Sequence, residues 1–337
     1  GYARAVQASP LQIIDNTLNT MSLFSTMTYT FDDRYIANFN IRTDGSNRFG
    51  QDKSVRFLPV WSTSGRWNVH REKMLQSWSW LDELALRASY GVQGNVHPSQ
   101  TPYLIVKQEN YNSILGEFVA TLKQFPNKHL RWEKTVSYNF GMDFSIFHDR
   151  VSASLDVYNK KGYDQIIQRR IAPSNGADFV TINEGDIENK GWELAFNVVP
   201  LRTKDLVWSM SFNTGQNFNK VTQEGDTKAT WQDYVNGTLI KNGYAVNSLY
   251  AYRFKGLNGQ TGLPMFYGET EKDEHGKTII NSQQEAFDAA FVYVGKREPD
   301  LTGGFSSSFK YKSFTLNALF SFALGNKIRL NDLYTTS

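Results

Sequence analysis

Alternation with a period of two runs through most of this chain and sets its secondary structure. In 137–147, Tyr138, Phe140, Met142, Phe144 and Ile146 alternate with Ser137, Asn139, Gly141, Asp143 and Ser145. Val151, Ala153, Leu155 and Val157 repeat the pattern against Ser152, Ser154 and Asp156. Only His148-Asp149-Arg150 separates the two runs, which predicts a tight hairpin. The same reading predicts about ten strands, near 21–31, 34–43, 56–68, 81–91, 135–147, 151–161, 190–200, 206–217, 302–311 and 314–324. Each is close to the roughly 9–11 residues that a tilted membrane strand needs.

The predicted connections alternate in length. Short turns fall at Asp32-Asp33, His148–Arg150, Arg202–Asp205 and Tyr311–Ser313, with a longer link at His70–Trp80. Long segments fill 44–55, 92–134, 162–189 and 218–301. Short turns on one rim and long loops on the other are what an outer-membrane barrel requires, and a β-sandwich has no reason to sort its loops this way. One face of each strand carries bulky Phe, Tyr, Trp and Met without small partners, as lipid contact permits. The other carries Ser, Asn, Asp and Gly. The expected fold is all-β: an antiparallel transmembrane β-barrel, of which these strands are part of a wider one. The whole of 1–337 is read as one piece of a single barrel domain. A soluble all-β carbohydrate-binding protein is the alternative.

Composition changes this picture little. No run approaches the 18 or so apolar residues of a membrane helix; stretches such as Ala289–Val294 are far shorter. A barrel strand shows lipid only on alternate residues, so 40% apolar residues suffices. Aromatics at 14%, mostly Phe and Tyr, suit strands and interfacial girdles. The net charge of +3 is dispersed, which argues against a nucleic-acid surface. Cysteine is absent, which excludes thiol catalysis, thiolate metal sites and disulfides. Gly1–Pro10 has no basic segment followed by an apolar one, so no signal peptide is read there.

Candidate chemistry is sparse. His70, His97, His129, His148 and His275 are isolated from one another, and no metal is expected. Glu269, Glu271, Asp273 and Glu274 lack a Ca²⁺-loop spacing. Asp143, Asp156 and Glu193 fall on the polar faces of different strands and read as lumen wetting rather than a glycosidase pair. Asp44-Gly45-Ser46 reads as a turn, Gly91–Asn95 as a strand end with a close backbone approach, and Gly303-Gly304 as a kink at a barrel rim. In the long segments, Tyr103, Tyr111, Trp132, Trp231, Tyr234 and Tyr244 are aromatics suited to stacking on a sugar or gripping a peptide, with loop packing as the plainer reading. Tyr103, Tyr111, Trp231 and Tyr234 are the candidates for contact with substrate or lid.

A family resemblance enters at Arg42-Thr43-Asp44-Gly45-Ser46-Asn47-Arg48-Phe49-Gly50, which resembles the R-x-D-G-S-S-R-F-G signature of SusC/RagA-type, TonB-dependent outer-membrane transporters, with Asn47 in place of Ser. Phe57–Trp67 resembles the family's F-x-P-x-x-S-x-x-W strand. Leu86–Asn95, with Gly91, Gly94 and Asn95, resembles L-R-x-S-Y-G-x-T-G-N. Leu130–Thr135, with Trp132, Glu133, Lys134 and Thr135, resembles L-K-W-E-K-T. Asn189–Glu193 resembles N-K-G-x-E through Asn189, Gly191 and Glu193. Thr302–Phe305, with Gly303 and Gly304, matches the late G-G-F. The matches come in family order and map to the later part of the family's barrel.

The resemblance implies an importer of a large nutrient, oligosaccharide or peptide, and not an enzyme. It implies no cofactor, a TonB complex acting through a plug domain and TonB box outside this chain, further barrel strands at both ends, and a SusD-like lipoprotein over the long loops. A passive porin or an adhesin on a barrel is the competing function.

Overall fold

The computed structural model describes residues 19–46, 57–95, 103–112, 114, 116–127, 129–177, 179–225, 229–267, 287 and 290–330. Its centre is a ten-stranded antiparallel sheet in which every strand lies beside its neighbour in the meander. The strands are β1 (Thr20–Phe31), β2 (Tyr35–Ser46), β3 (Phe57–Asn68), β4 (Leu81–Asn95), β7 (Glu133–Ile146), β8 (Val151–Arg170), β9 (Phe179–Arg202), β10 (Leu206–Gln223), β14 (Leu301–Tyr311) and β15 (Phe314–Leu324). All ten expected strands are present. Among the described residues the sheet is open, with β1 and β15 at its edges.

The rims are sorted as expected. One end carries the tight turns after β1, β7, β9 and β14 and the short link after β3. These turns rest on residues that tolerate a left-handed backbone: Asp32 and Asp33 at φ 52° and 51°, His148 and Asp149 at 59° and 58°. Glu72, in the link after β3, ties two connections together. It accepts the Tyr35 hydroxyl at 2.7 Å and the Trp67 indole at 3.0 Å, and pairs with Arg34 at 3.1 Å. Those three donors hold its carboxyl below the usual carboxylate range, the Tyr35 hydroxyl most of all.

The long segments contain more structure than the alternation predicted. β8 and β9 run on to Arg170 and from Phe179, making a hairpin arm far longer than a membrane crossing needs. The segment before β7 holds a hairpin of β5 (Ile105–Asn112) and β6 (Glu117–Gln124). The segment before β14 holds an insert: a short helix (Trp231–Asn236) and a sheet of β11 (Ser248–Leu257), β12 (Pro264–Tyr267) and β13 (Phe291–Lys296), in the order β12-β11-β13. Strands that leave the membrane no longer need one face in lipid, so their sequence loses its alternation. The insert has its own core of Tyr234, Leu239, Tyr250 and Phe291.

Two local readings need correction. Asp44, Gly45 and Ser46 continue β2, paired with β1 and β3, and do not turn. Gly303 and Gly304 sit in unbroken register between β10 and β15, with no kink. Their lack of a side chain serves packing instead. The Phe322 ring lies over Gly303, and a Cβ on Gly304 would come within 3.0 Å of Asn213 Oδ1.

Candidate functional site: the lumen face and the mouth

Cross-strand registers align the two faces strictly. One face carries Tyr138, Phe140, Met142 and, on their partners, Tyr90, Ala88, Leu86, Val157 and Leu155. The opposite face carries Asn38, Ser64, Ser89 and Asn139 side by side on β2, β3, β4 and β7. Asn38 accepts from the Thr28 hydroxyl at 2.9 Å and donates to Ser64 at 3.3 Å, so the polar face is laced by its own hydrogen bonds.

At the middle of that polar face lies a charged ladder. Arg87 on β4 donates to both oxygens of Asp143 on β7, at 2.9 and 3.0 Å, and to both oxygens of Asp156 on β8, at 3.2 and 3.0 Å. Arg66 on β3 joins at 2.8 Å to Asp143 and also pairs with Glu83. Asn139 donates to Asp156 at 2.9 Å. Arg87 reaches β8 only by lying across β7 at Gly141, where a Cβ would stand 2.7 Å from its Cζ. Glycine at 141 therefore opens a lane for the guanidinium. The sequence placed Asp143, Asp156 and Glu193 on the polar face correctly. It did not reveal that two arginines from preceding strands would neutralise the first two.

Glu193 on β9 is the direct cross-strand neighbour of Asp156. Two carboxylates so placed repel, and Arg87 relieves that by holding Asp156. Beyond the ladder the wall forms a hollow of about 530 Å³ lined by Tyr158, Glu193, Asn213, Asn217 and Glu298. Such a surface of carboxylates, amides and a phenol accepts hydrogen bonds from hydroxyls, amides or ammonium groups.

The remaining motif residues lie where strands leave the membrane. Arg42 and Asp44 pair through Nε at 2.8 Å, and Arg42 also donates to Ser22. Arg48, Phe49 and Gly50 lie outside the described residues. Gly91 backs onto Ser62, whose Cβ would lie 3.0 Å from a Cβ added there, and Gly94 pairs with Lys134. Asn95 donates to Glu133 at 2.9 Å, and Glu133 also accepts the Ile166 backbone N–H at 2.9 Å. Trp132 is buried, and Lys134 and Thr135 open β7. Arg131 just before them is gripped by Asn183 and pairs with Asp164. This motif bolts the start of β7 to the base of the β8–β9 arm. Asn189 accepts from Asn217 and Asn219, at 3.3 and 2.9 Å, and Gly191 lies beneath the Tyr158 ring.

At the mouth, Tyr103, Tyr111 and Trp231 are about half exposed. Tyr234 is not: at 1% exposure it is the centre of the insert's core, stacked on Phe291 with centroids 4.7 Å apart. It closes the insert rather than facing solute. Its neighbour Tyr250 is buried too, and burial pushes its phenol well above the ordinary value. His70 bonds the backbone at Leu84, His97 and His275 lie outside the described residues, and so do Glu269, Glu271, Asp273 and Glu274. Among the described residues no group of three His, Cys, Asp or Glu side chains is placed to hold a metal.

A meander sheet with an apolar face, a wet face and sorted rims is the wall of an outer-membrane β-barrel. Residues 2–333 match the model of the TonB dependent receptor-like β-barrel family, and the chain belongs to that family. It is 28% identical to TonB-dependent receptor P3 of Formosa agariphila over 96% of this chain and 33% of that protein. It is 29% identical to TonB-dependent receptor SusC of Bacteroides thetaiotaomicron over 91% of this chain and 31% of that one. The solved RagAB peptide transporter superposes with a TM-score of 0.77 at 27% identity, over 91% of this chain and 34% of its own. The chain thus spans about a third of the length of these relatives. Its place is the outer membrane.

Proposed function

We propose that this chain forms the later wall, part of the lumen surface and several mouth loops of an importer that carries a large solute, an oligosaccharide or a peptide, across the outer membrane. In this reading 1–337 is one part of a single barrel domain, completed by early and closing strands. A plug domain with a TonB box blocks the lumen until a TonB complex pulls on it, and a SusD-like lipoprotein covers the long loops. The protein is a transporter and not an enzyme, and it uses no cofactor.

The observation that carries this reading is the wet face. It is lined by a self-satisfied ladder and, beside it, by the hollow around Glu193 and Tyr158, which offers acceptors to a hydrated solute. The likeness to the RagAB peptide transporter supports a solute of at least peptide size. Transport needs a binding surface that differs between two states of the occluding domain, not covalent chemistry.

The test is uptake by cells carrying the full-length protein, with and without a collapsed proton gradient and with the TonB partner deleted. Loss of uptake in both conditions supports energy-coupled import. Undiminished uptake in both makes the protein a passive porin, and no uptake of any solute alongside surface binding makes it an adhesin.

A further inference from the structure

On the lipid-covered face the bulky pattern breaks over three neighbouring strands. Ala37, Gly65 and Ala88 lie side by side on β2, β3 and β4, with Tyr29 on β1 and Phe140 on β7 closing the row. Together with Trp67 they outline an apolar recess of about 620 Å³ in the outer wall. The expectation of large residues without small partners is corrected here.

Gly65 is the telling residue. Glycine inside a strand weakens it, and its usual reasons are a bulge or the close approach of another group. Gly141 accommodates Arg87, Gly191 the Tyr158 ring and Gly303 the Phe322 ring. Of the strand glycines with ordinary φ whose surroundings are described, Gly65 alone has no atom within 4 Å of where its Cβ would stand. Its register is regular on both sides. Among the described residues nothing requires glycine there, so what fills the space comes from beyond them.

We propose that the recess is a binding site for an acyl chain of a phospholipid in the periplasmic leaflet. It is continuous with the face that the bilayer covers, and its lining is apolar. Tyr35 and Trp67, tied to Glu72 at the short-turn rim, mark the inner interface. Ala37 and Gly65 lie two residues deeper, about 7 Å along the strands, in the inner-leaflet hydrocarbon. Arg34 and Arg71 at that rim are paired with Asp32, Glu72 and Asp33, and Lys73 lies in the same link. The apolar lining makes the recess a site for the hydrocarbon chain.

The experiment uses the full-length protein in vesicles of phosphatidylethanolamine bearing a diazirine in one acyl chain, followed by photolysis and peptide mapping. Label at Ala37, Ala88 and Trp67 should exceed that at Phe305 and Phe320, on the same face, several-fold. Gly65→Phe, which fills the recess with hydrocarbon of its own, should bring the ratio to one. Even labelling of the wild type across the face overturns the proposal. So does cross-linking at these positions to a second copy of the chain, or label arriving from a diazirine lipopolysaccharide placed in the outer leaflet. The wild-type labelling ratio decides the matter by itself even if the Gly65→Phe protein fails to assemble.

Discussion

The lane at Gly141 makes a prediction whose sign depends on background. In wild type, Gly141→Ala puts a methyl group 2.7 Å from both Arg87 Cζ and Asp156 Oδ1, so the guanidinium must lift off β7. It then loses its bidentate hold on Asp156. Charge-assisted hydrogen bonds contribute roughly 1.5–3 kcal/mol when shielded. Here the Arg87 and Asp156 side chains are 31% and 26% exposed, so solvent screening reduces this to about 1–2 kcal/mol. In an Arg87→Ala background the lane is empty, and Asp156, relieved of its two-point hold, can shift together with its remaining donor Asn139. Gly141→Ala then only restrains the unfolded chain and improves the strand, a gain of about 0.5–1 kcal/mol. The assay is a urea midpoint of the full-length barrel in lipid, followed by the shift in gel mobility on heating, for the four corners of the double-mutant cycle. Destabilisation by Gly141→Ala of equal size in both backgrounds would refute the lane.

Phe140→Arg, on the outer face, should cost about 2–4 kcal/mol in folded stability if it lies at mid-bilayer, while Asn317→Arg on the polar face of β15 should cost little; heat-modifiable assembly measures both. Glu72, with its carboxyl held low, adds stability to the short-turn rim that is fully present above the ordinary carboxylate value and is lost as pH falls through the lowered one. Hydrogen exchange in residues 69–76 should therefore rise only below the ordinary carboxylate range, and Glu72→Gln should remove that pH dependence. Tyr234→Ala empties the insert's core at a cost of about 3–5 kcal/mol. It should open residues 229–267 to protease while the barrel still assembles.

Most of the wall was legible in the order of residues. A strand in a bilayer has one face in hydrocarbon and one in water, so Tyr138-Asn139-Phe140 declares its orientation without reference to any neighbour. Turn residues and the sorting of connection lengths followed for the same local reason. What needed the tertiary structure was everything carried between strands. Nothing local marks Arg66 and Arg87 as partners of Asp143 and Asp156; register brings them together. Gly303 looked like a kink, although its place is beneath the Phe322 ring. Tyr234 looked like a loop aromatic, because nothing local distinguishes an exposed ring from one that a helix and two strands enclose. The β8–β9 arm and the insert were hidden because the alternation that announces a membrane strand is imposed by lipid. Beyond the bilayer no lipid face is imposed on the strands, and no regular period is left in the sequence.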